Sequence, residues 1–204
     1  MPRIEPLDPA DMPPDAAAAH QAHLSVGRST NMKRTLLRSV PAFDALMTWY
    51  PLRDTVKPFL GDRLTTLFAH AVSSETDCLI CSTFFRRILI DSGENPDALE
   101  MDEREAAVVA FGRALAVTPH RMPDAVYERV AAHFSDEQIV ALVAFGALMV
   151  ATNVVNNALG VPLDDYLQPY RRQPASSASD STAADSTVAG STAFAAAEGI
   201  GAHG

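Results

Sequence analysis

LGDRLTTLFAHAVSSETDCLICSTFF, residues 60–85, holds a helix, a stop and a second helix in one run. Its first half places Leu64, Leu67, Phe68 and Ala71 at spacings of three and four, the period of one buried helix face. The short polar side chains of SSETD then supply capping oxygens, which favour ending one helix and starting another. Cys78 opens the next helix, which runs to about Ser92 and stops at Gly93, a residue suited to a helix C-terminus. This reading puts Cys78 in a first helical turn and Cys81 one turn later on nearly the same face. No other cysteine occurs in the chain.

Helical signals continue on both sides. Residues 1–30 are rich in Pro and Ala and read as an extended N-terminal arm, with one short helix over residues 15–23. MKRTLLRSV, from Asn31 onward, is helical in pattern, and Pro41 starts a further helix through AFDALMTWY to about Pro51. Asp102 with Glu105, and Ser135 with Gln138, form two capping boxes. PDAVYERVAAHF is a shorter helix between the two that these boxes start. The second box opens a long apolar helix that Gly160 ends, expected at the centre of the bundle or at a subunit contact. No alternating run predicts a strand, so the fold class is all-α. From Gln173 the chain becomes Ala, Ser, Thr and Gly without Lys or Arg, which predicts a disordered low-complexity tail. The expected organisation is thus an arm over 1–30, a helical domain over 31–172 and a tail over 173–204.

The charge balance excludes some functions. Sixteen Lys and Arg face 25 Asp and Glu, and the basic pairs Arg86-Arg87 and Arg171-Arg172 are too short for a phosphate-binding stripe, so no nucleic-acid partner is expected. The N-terminus lacks a secretory leader, and the apolar run at 139–151 falls short of the roughly 20 residues of a membrane helix. The expectation is a cytoplasmic protein without a membrane partner.

Three chemistries compete for Cys78 and Cys81. A structural zinc site needs four ligands, and His120 and His133 stand too far apart to complete one, so no metal is expected. Buried cysteine also packs as a small hydrophobe. The redox alternative has a mechanism: N–H groups at a helix start stabilise a thiolate, which attacks a peroxide and condenses with its neighbour to a disulfide. On this reading Cys81 attacks and Cys78 resolves.

The same residues resemble the signature helix pair of the carboxymuconolactone decarboxylase and alkylhydroperoxidase AhpD superfamily, an R-L-x-x-L helix leading into C-x-x-C. The resemblance extends over about residues 3–167. It implies a compact helical bundle that assembles as a homo-oligomer, a trimer or hexamer. It also implies a thiol-dependent antioxidant activity of the peroxiredoxin type, an oxidoreductase without a bound cofactor. Its Cys78–Cys81 disulfide would be recharged by an external dithiol, thioredoxin-like or lipoyl. Peroxidatic members carry Glu and His as a proton relay at the positions that hold Thr66 and Phe85 here. Glu75 and His70 are the nearest substitutes; Asp77 and, from the arm, His20 and His23 are further titratable groups to place. Two other readings follow from the family: a non-catalytic or redox-sensing relative, and a lactone decarboxylase, a branch that does not depend on C-x-x-C.

Overall fold

The structure, a computed structural model, describes residues 1–118 and 120–172; the tail expected from Gln173 onward lies outside them. Among the described residues there are eight α-helices and no strand. They are α1 (Pro14–His23), α2 (Asn31–Leu36), α3 (Val40–Met47), α4 (Trp49–Glu75), α5 (Leu79–Asp91), α6 (Glu103–Ala116), α7 (Asp124–Ala131) and α8 (Asp136–Leu159). The expected all-α bundle is observed.

Helix α4 is the hub, with α5, α6 and α8 packed around it. The Phe68 ring stacks on Phe145 of α8 at 5.8 Å between centroids. Gly146 makes this approach feasible: a Cβ there would fall 2.9 Å from Phe68 Cζ and 2.6 Å from a Leu115 methyl. Arg63 of α4 fastens the opposite side, reaching both carboxylate oxygens of Glu94 and also Glu105, the acid of the first capping box. Both expected capping boxes form, and Gly160 closes α8 in the left-handed region at φ 60°.

Three boundaries differ from the sequence reading. The helix expected to run from Pro41 to Pro51 ends at Met47, and α4 begins at Trp49, where Pro51 fits within the first turn without losing a helical hydrogen bond. Within α4, Gly61 leaves the helical conformation (φ 81°, ψ 169°), just after Pro58. The N-terminal residues are less of a free arm than expected. Leu7, Ala16 and Phe43 share a second core with Leu36 and Leu37. The Arg3 amide donates to the Leu159 carbonyl at 2.9 Å, and Arg38 reaches the Glu5 carbonyl at 2.7 Å.

Helix α8 is long and apolar enough by composition to cross a membrane. Here one of its faces fills the bundle centre with Leu142, Phe145 and Met149, followed by buried Thr152, Asn153 and Asn156. Its other face leaves Val140, Val143 and Val154 exposed.

Candidate functional site

The turn between α4 and α5 sets the cysteines. The Cys78 amide donates to the Ser73 carbonyl at 3.1 Å and the Asp77 amide to the Ser74 carbonyl at 3.2 Å. These are the paired bonds of a Schellman motif, with Asp77 in its left-handed position at φ 50°. Cys78 is therefore the last residue of that motif and also the N-cap of α5, with extended backbone angles. The turn drives its side chain fully into the core, and Cys78 stands one position before the first helical turn in which the sequence reading placed it.

Cys81 sits three residues further on, also buried, and both cysteines are free thiols. Asn156 of α8 reaches them together: its Nδ2 lies 3.3 Å from Cys81 Sγ and 3.8 Å from Cys78 Sγ. The same nitrogen is 3.4 Å from Met32 Sδ, and Asn156 Oδ1 has no partner. Asn153 and Asn157 hold the turn itself. The Asn153 amide donates to Thr76 Oγ1 at 2.7 Å, and the Asn157 amide donates to the Thr76 carbonyl at 3.0 Å.

The two thiols are electrostatically unequal. The Cys81 S–H faces the Cys78 sulfur and stabilises its thiolate; burial opposes this, and the N–H groups of Cys81 and Ile80 and the Asn156 amide assist. Those N–H groups lie against the sulfur without full capping geometry. The net effect holds the Cys78 thiol down at about 7. Cys81 is pushed well up, first because its proton is held by Cys78 and second because it is buried. Spacing alone had made Cys81 the attacking thiol; the thiolate is favoured at Cys78, while Cys81 is the one that lines a cavity.

That cavity has a volume of about 370 Å³. Trp49, Phe84, Phe85 and Met149 form apolar walls beside Cys81, and Lys33 and Tyr50 lie on the same wall system. The Trp49 indole N–H points at Met149 Sδ, 2.7 Å away.

No family model and no curated protein matches the chain. Solved structures do match its fold. The debrominase Bmp8 superposes with a TM-score of 0.68 at 19% identity, over 82% of this chain and 95% of that one. A cysteine-to-alanine variant of Bmp8 in complex with 2,3,4-tribromopyrrole gives 0.65 at 18% identity, over 82% and 94%. An alkylhydroperoxidase AhpD core, an uncharacterised peroxidase-related protein from Ralstonia eutropha JMP134, gives 0.61 at 18%, over 81% and 94%. The chain has the AhpD-like fold.

In this AhpD-like bundle the residues singled out by sequence separate. Phe85 is buried on the cavity wall with Cys81. Thr66 is not on that wall, and its hydroxyl donates to the Asp62 carbonyl at 2.9 Å. Glu75 ends α4 exposed to solvent, and Asp77 is exposed in the turn. His70 lies off the cavity, and burial, aided by nearby Arg86 and Arg113, lowers its pKa to about 4. His20 bonds Ser29 Oγ at 2.8 Å, while His23 is buried edge-on against Phe43 and Tyr50, behind the cavity wall. The residues the sequence reading missed are Asn153 and Asn156. A polar pair three apart in a long apolar helix was the available signal; that it meets the cysteines depends on the packing of α8 against the α4–α5 turn.

Proposed function

We propose that the protein is a thiol-dependent oxidoreductase in which Cys78 and Cys81 pass between dithiol and disulfide while reducing a small electrophile bound beside Cys81. One observation carries this reading: both sulfurs meet the Asn156 amide, one poised as a thiolate and the other open to a cavity. Hydroperoxides are the substrate class put first. The Cys81 proton passes to the Cys78 thiolate, and the Cys81 thiolate attacks the terminal oxygen of ROOH. The O–O bond breaks, Cys81 becomes a sulfenic acid, and RO⁻ takes the proton from Cys78 and leaves as ROH. The Cys78 thiolate then attacks the Cys81 sulfur, the S–O bond breaks, and the hydroxide leaves as water with one proton taken up from the bulk solution. A dithiol donor, thioredoxin-like or lipoyl, returns the disulfide to the dithiol by exchange. A reducing cytoplasm, where we place the protein, supplies such donors.

The aromatic cavity favours a second reading, supported by the likeness to Bmp8. Here the Cys81 thiolate takes a halogen from an aromatic carbon, the carbon accepts the proton held by Cys78, and Cys78 displaces halide to give the same disulfide.

The test is single-turnover reaction of the reduced chain with cumene hydroperoxide or tribromopyrrole, followed by disulfide content and product. Cys81→Ser should abolish reaction, and Cys78→Ser, which removes the proton acceptor, should slow attack and stop the reaction at a Cys81 sulfenate with hydroperoxide. Debromination without peroxide reduction selects the second reading. A disulfide that dihydrolipoamide, dithiothreitol and thioredoxin all fail to recycle selects a redox sensor, and inert thiols reject the proposal.

A further inference from the structure

The cavity beside Cys81 has a polar end that the thiol chemistry leaves unused. Arg28, Lys33, Arg53 and Arg87 border it against a single carboxylate, Asp164, in a chain of net charge −9. Lys33 is the most unusual of them, because the residue is only 5% exposed. A buried ammonium is costly unless a negative charge sits beside it. Among the described residues no carboxylate closes an ion pair with Lys33. Its Nζ donates to the Arg28 carbonyl at 2.7 Å and to Tyr50 Oη at 2.9 Å. Of its three N–H donors one is left over, and Tyr50, already accepting, keeps its own O–H to donate.

Gly27 packs against both groups, and all three residues line the cavity. A Cβ at Gly27 would stand 2.5 Å from Tyr50 Oη and 3.1 Å from Lys33 Nζ. Trp49, Ile80, Phe84, Phe85 and Met149 supply the aromatic and apolar part of the same lining.

We propose that this cavity binds a planar aromatic acid, its carboxylate on Lys33 and Tyr50 and its ring between Trp49, Phe84 and Phe85. The assignment rests on the thiol reading for its consequence: such an acid would be the molecule presented to Cys81. Lys33 and Tyr50 are then specificity-determining residues, and Gly27 is a positioning residue.

Trp49 is the chain's one tryptophan, so its fluorescence reports occupancy. The probes are 4-chlorobenzoate and its neutral isostere 4-chlorobenzamide, titrated into the full chain and into a Cys78→Ser, Cys81→Ser variant. The acid should bind on the order of tenfold more tightly than the amide in both, the scale of one charge-assisted hydrogen bond. Lys33→Met should erase that preference, and Gly27→Ala should weaken the acid more than the amide.

A pH series on the double-serine chain supplies a check that needs no change at Lys33, Tyr50 or Gly27. The charged and titratable groups that interact with Lys33 or share its cavity lining are His23 of α1, Arg28 before α2, Tyr50 and Arg53 of α4, Arg87 of α5, and Asp164 and Tyr166 after α8. Burial, partly offset by Asp164, lowers Lys33 to about 8, while burial raises Tyr50 and Tyr166 above their usual 10 and lowers His23 to about 4. The acid's affinity should therefore fall as pH rises through 8 to 10, with the amide unchanged. Equal affinity for acid and amide, or an acid preference that survives Lys33→Met or is flat with pH, overturns the assignment. If Lys33→Met does not fold, Gly27→Ala and the pH series decide it. Selective acid binding with inert thiols upholds this site and rejects the thiol function; peroxide or halogen turnover without acid preference does the reverse.

Discussion

Replacing Asn156 with Leu isolates what the buried amide does to the thiols. The two side chains are similar in size, so the cavity and core are preserved. What is lost is the amide NH2, whose nitrogen lies 3.3 Å from Cys81 Sγ and 3.8 Å from Cys78 Sγ. A hydrogen bond to a charged acceptor contributes roughly 1.5–3 kcal/mol, and one pKa unit is about 1.4 kcal/mol. These contacts are long and shared with Met32 Sδ, so the lower end applies. The apparent pKa of the pair should rise by about one unit, moving Cys78 from about 7 toward 8. At pH 7 the thiolate fraction then falls roughly fivefold. Stability should hold or improve, because Asn156 Oδ1, buried without a partner, leaves with the amide.

The assay is the pH dependence of iodoacetamide alkylation, followed by intact mass, with urea unfolding run alongside. Asn153→Leu is the contrast. Its amide serves Thr76 and Ser73 rather than sulfur, so it should cost about 1 kcal/mol of stability and leave the thiol titration nearly unmoved. An Asn156→Leu chain that folds and alkylates with an unshifted pH profile refutes the electrostatic role given to the amide.

Three further outcomes are expected. Asp77→Val forces a β-branched residue to φ 50° and should lower stability by about 1–2 kcal/mol in urea unfolding; a neutral result contradicts the Schellman turn. His23 and His70 are held near 4, chiefly by burial and then by neighbouring positive charge, against 6.5 when unfolded. Their contribution is complete above pH 6.5 and drains away toward pH 4, so His70→Leu should flatten the acid side of the Tm profile; an unaltered slope counts against it. Val140, Val143 and Val154 leave α8 with an exposed apolar face, for which we propose a second copy of the chain as the cover. Light scattering should show a trimer or hexamer that Val140→Glu with Val154→Glu dissociates, and a monomeric natural chain at micromolar concentration would end that proposal.

What the sequence made legible is local. A capping box is a spacing of three, and the boxes at Asp102 and Ser135 and the stop at Gly160 stand where the residues put them. The cysteine pair falls at the start of α5 as expected, although the SSETD side chains do not cap that helix: the Schellman turn at the end of α4 sets it, with Cys78 as the N-cap. Where the reading failed, the deciding partner was far away in the chain. Asn156 is 78 residues from Cys78, so no window around the cysteines contains it. The docking of Arg3 on the end of α8 likewise joins residues more than 150 apart. Thr66 and His70 illustrate the converse error. Both lie close to the cysteines in sequence, yet neither reaches the cavity wall, because only one face of α4 can be turned toward it.

The same turn explains how thiol chemistry is compatible with an AhpD-like bundle that has Thr66 and Phe85 at the relay positions. A proton acceptor near neutral pKa suits transfer at neutral pH best. In this chain Cys78 itself has that character, since it closes the Schellman turn of α4 with its amide and presents its sulfur to the first N–H groups of α5. Its partner Cys81 gains cavity access but keeps its proton more firmly. Moving that proton to Cys78 is uphill, because Cys81 is held well above the usual thiol range while Cys78 is held down, and this slows attack relative to a free thiolate. On the proposed function, substrate binding against Trp49, Phe84 and Phe85 would offset that cost by proximity. Phe85 would then be a substrate wall at a position where the family resemblance puts a relay residue. A Phe85→His chain should consequently gain rate with small hydroperoxides that need no wall, and lose affinity for aromatic ligands.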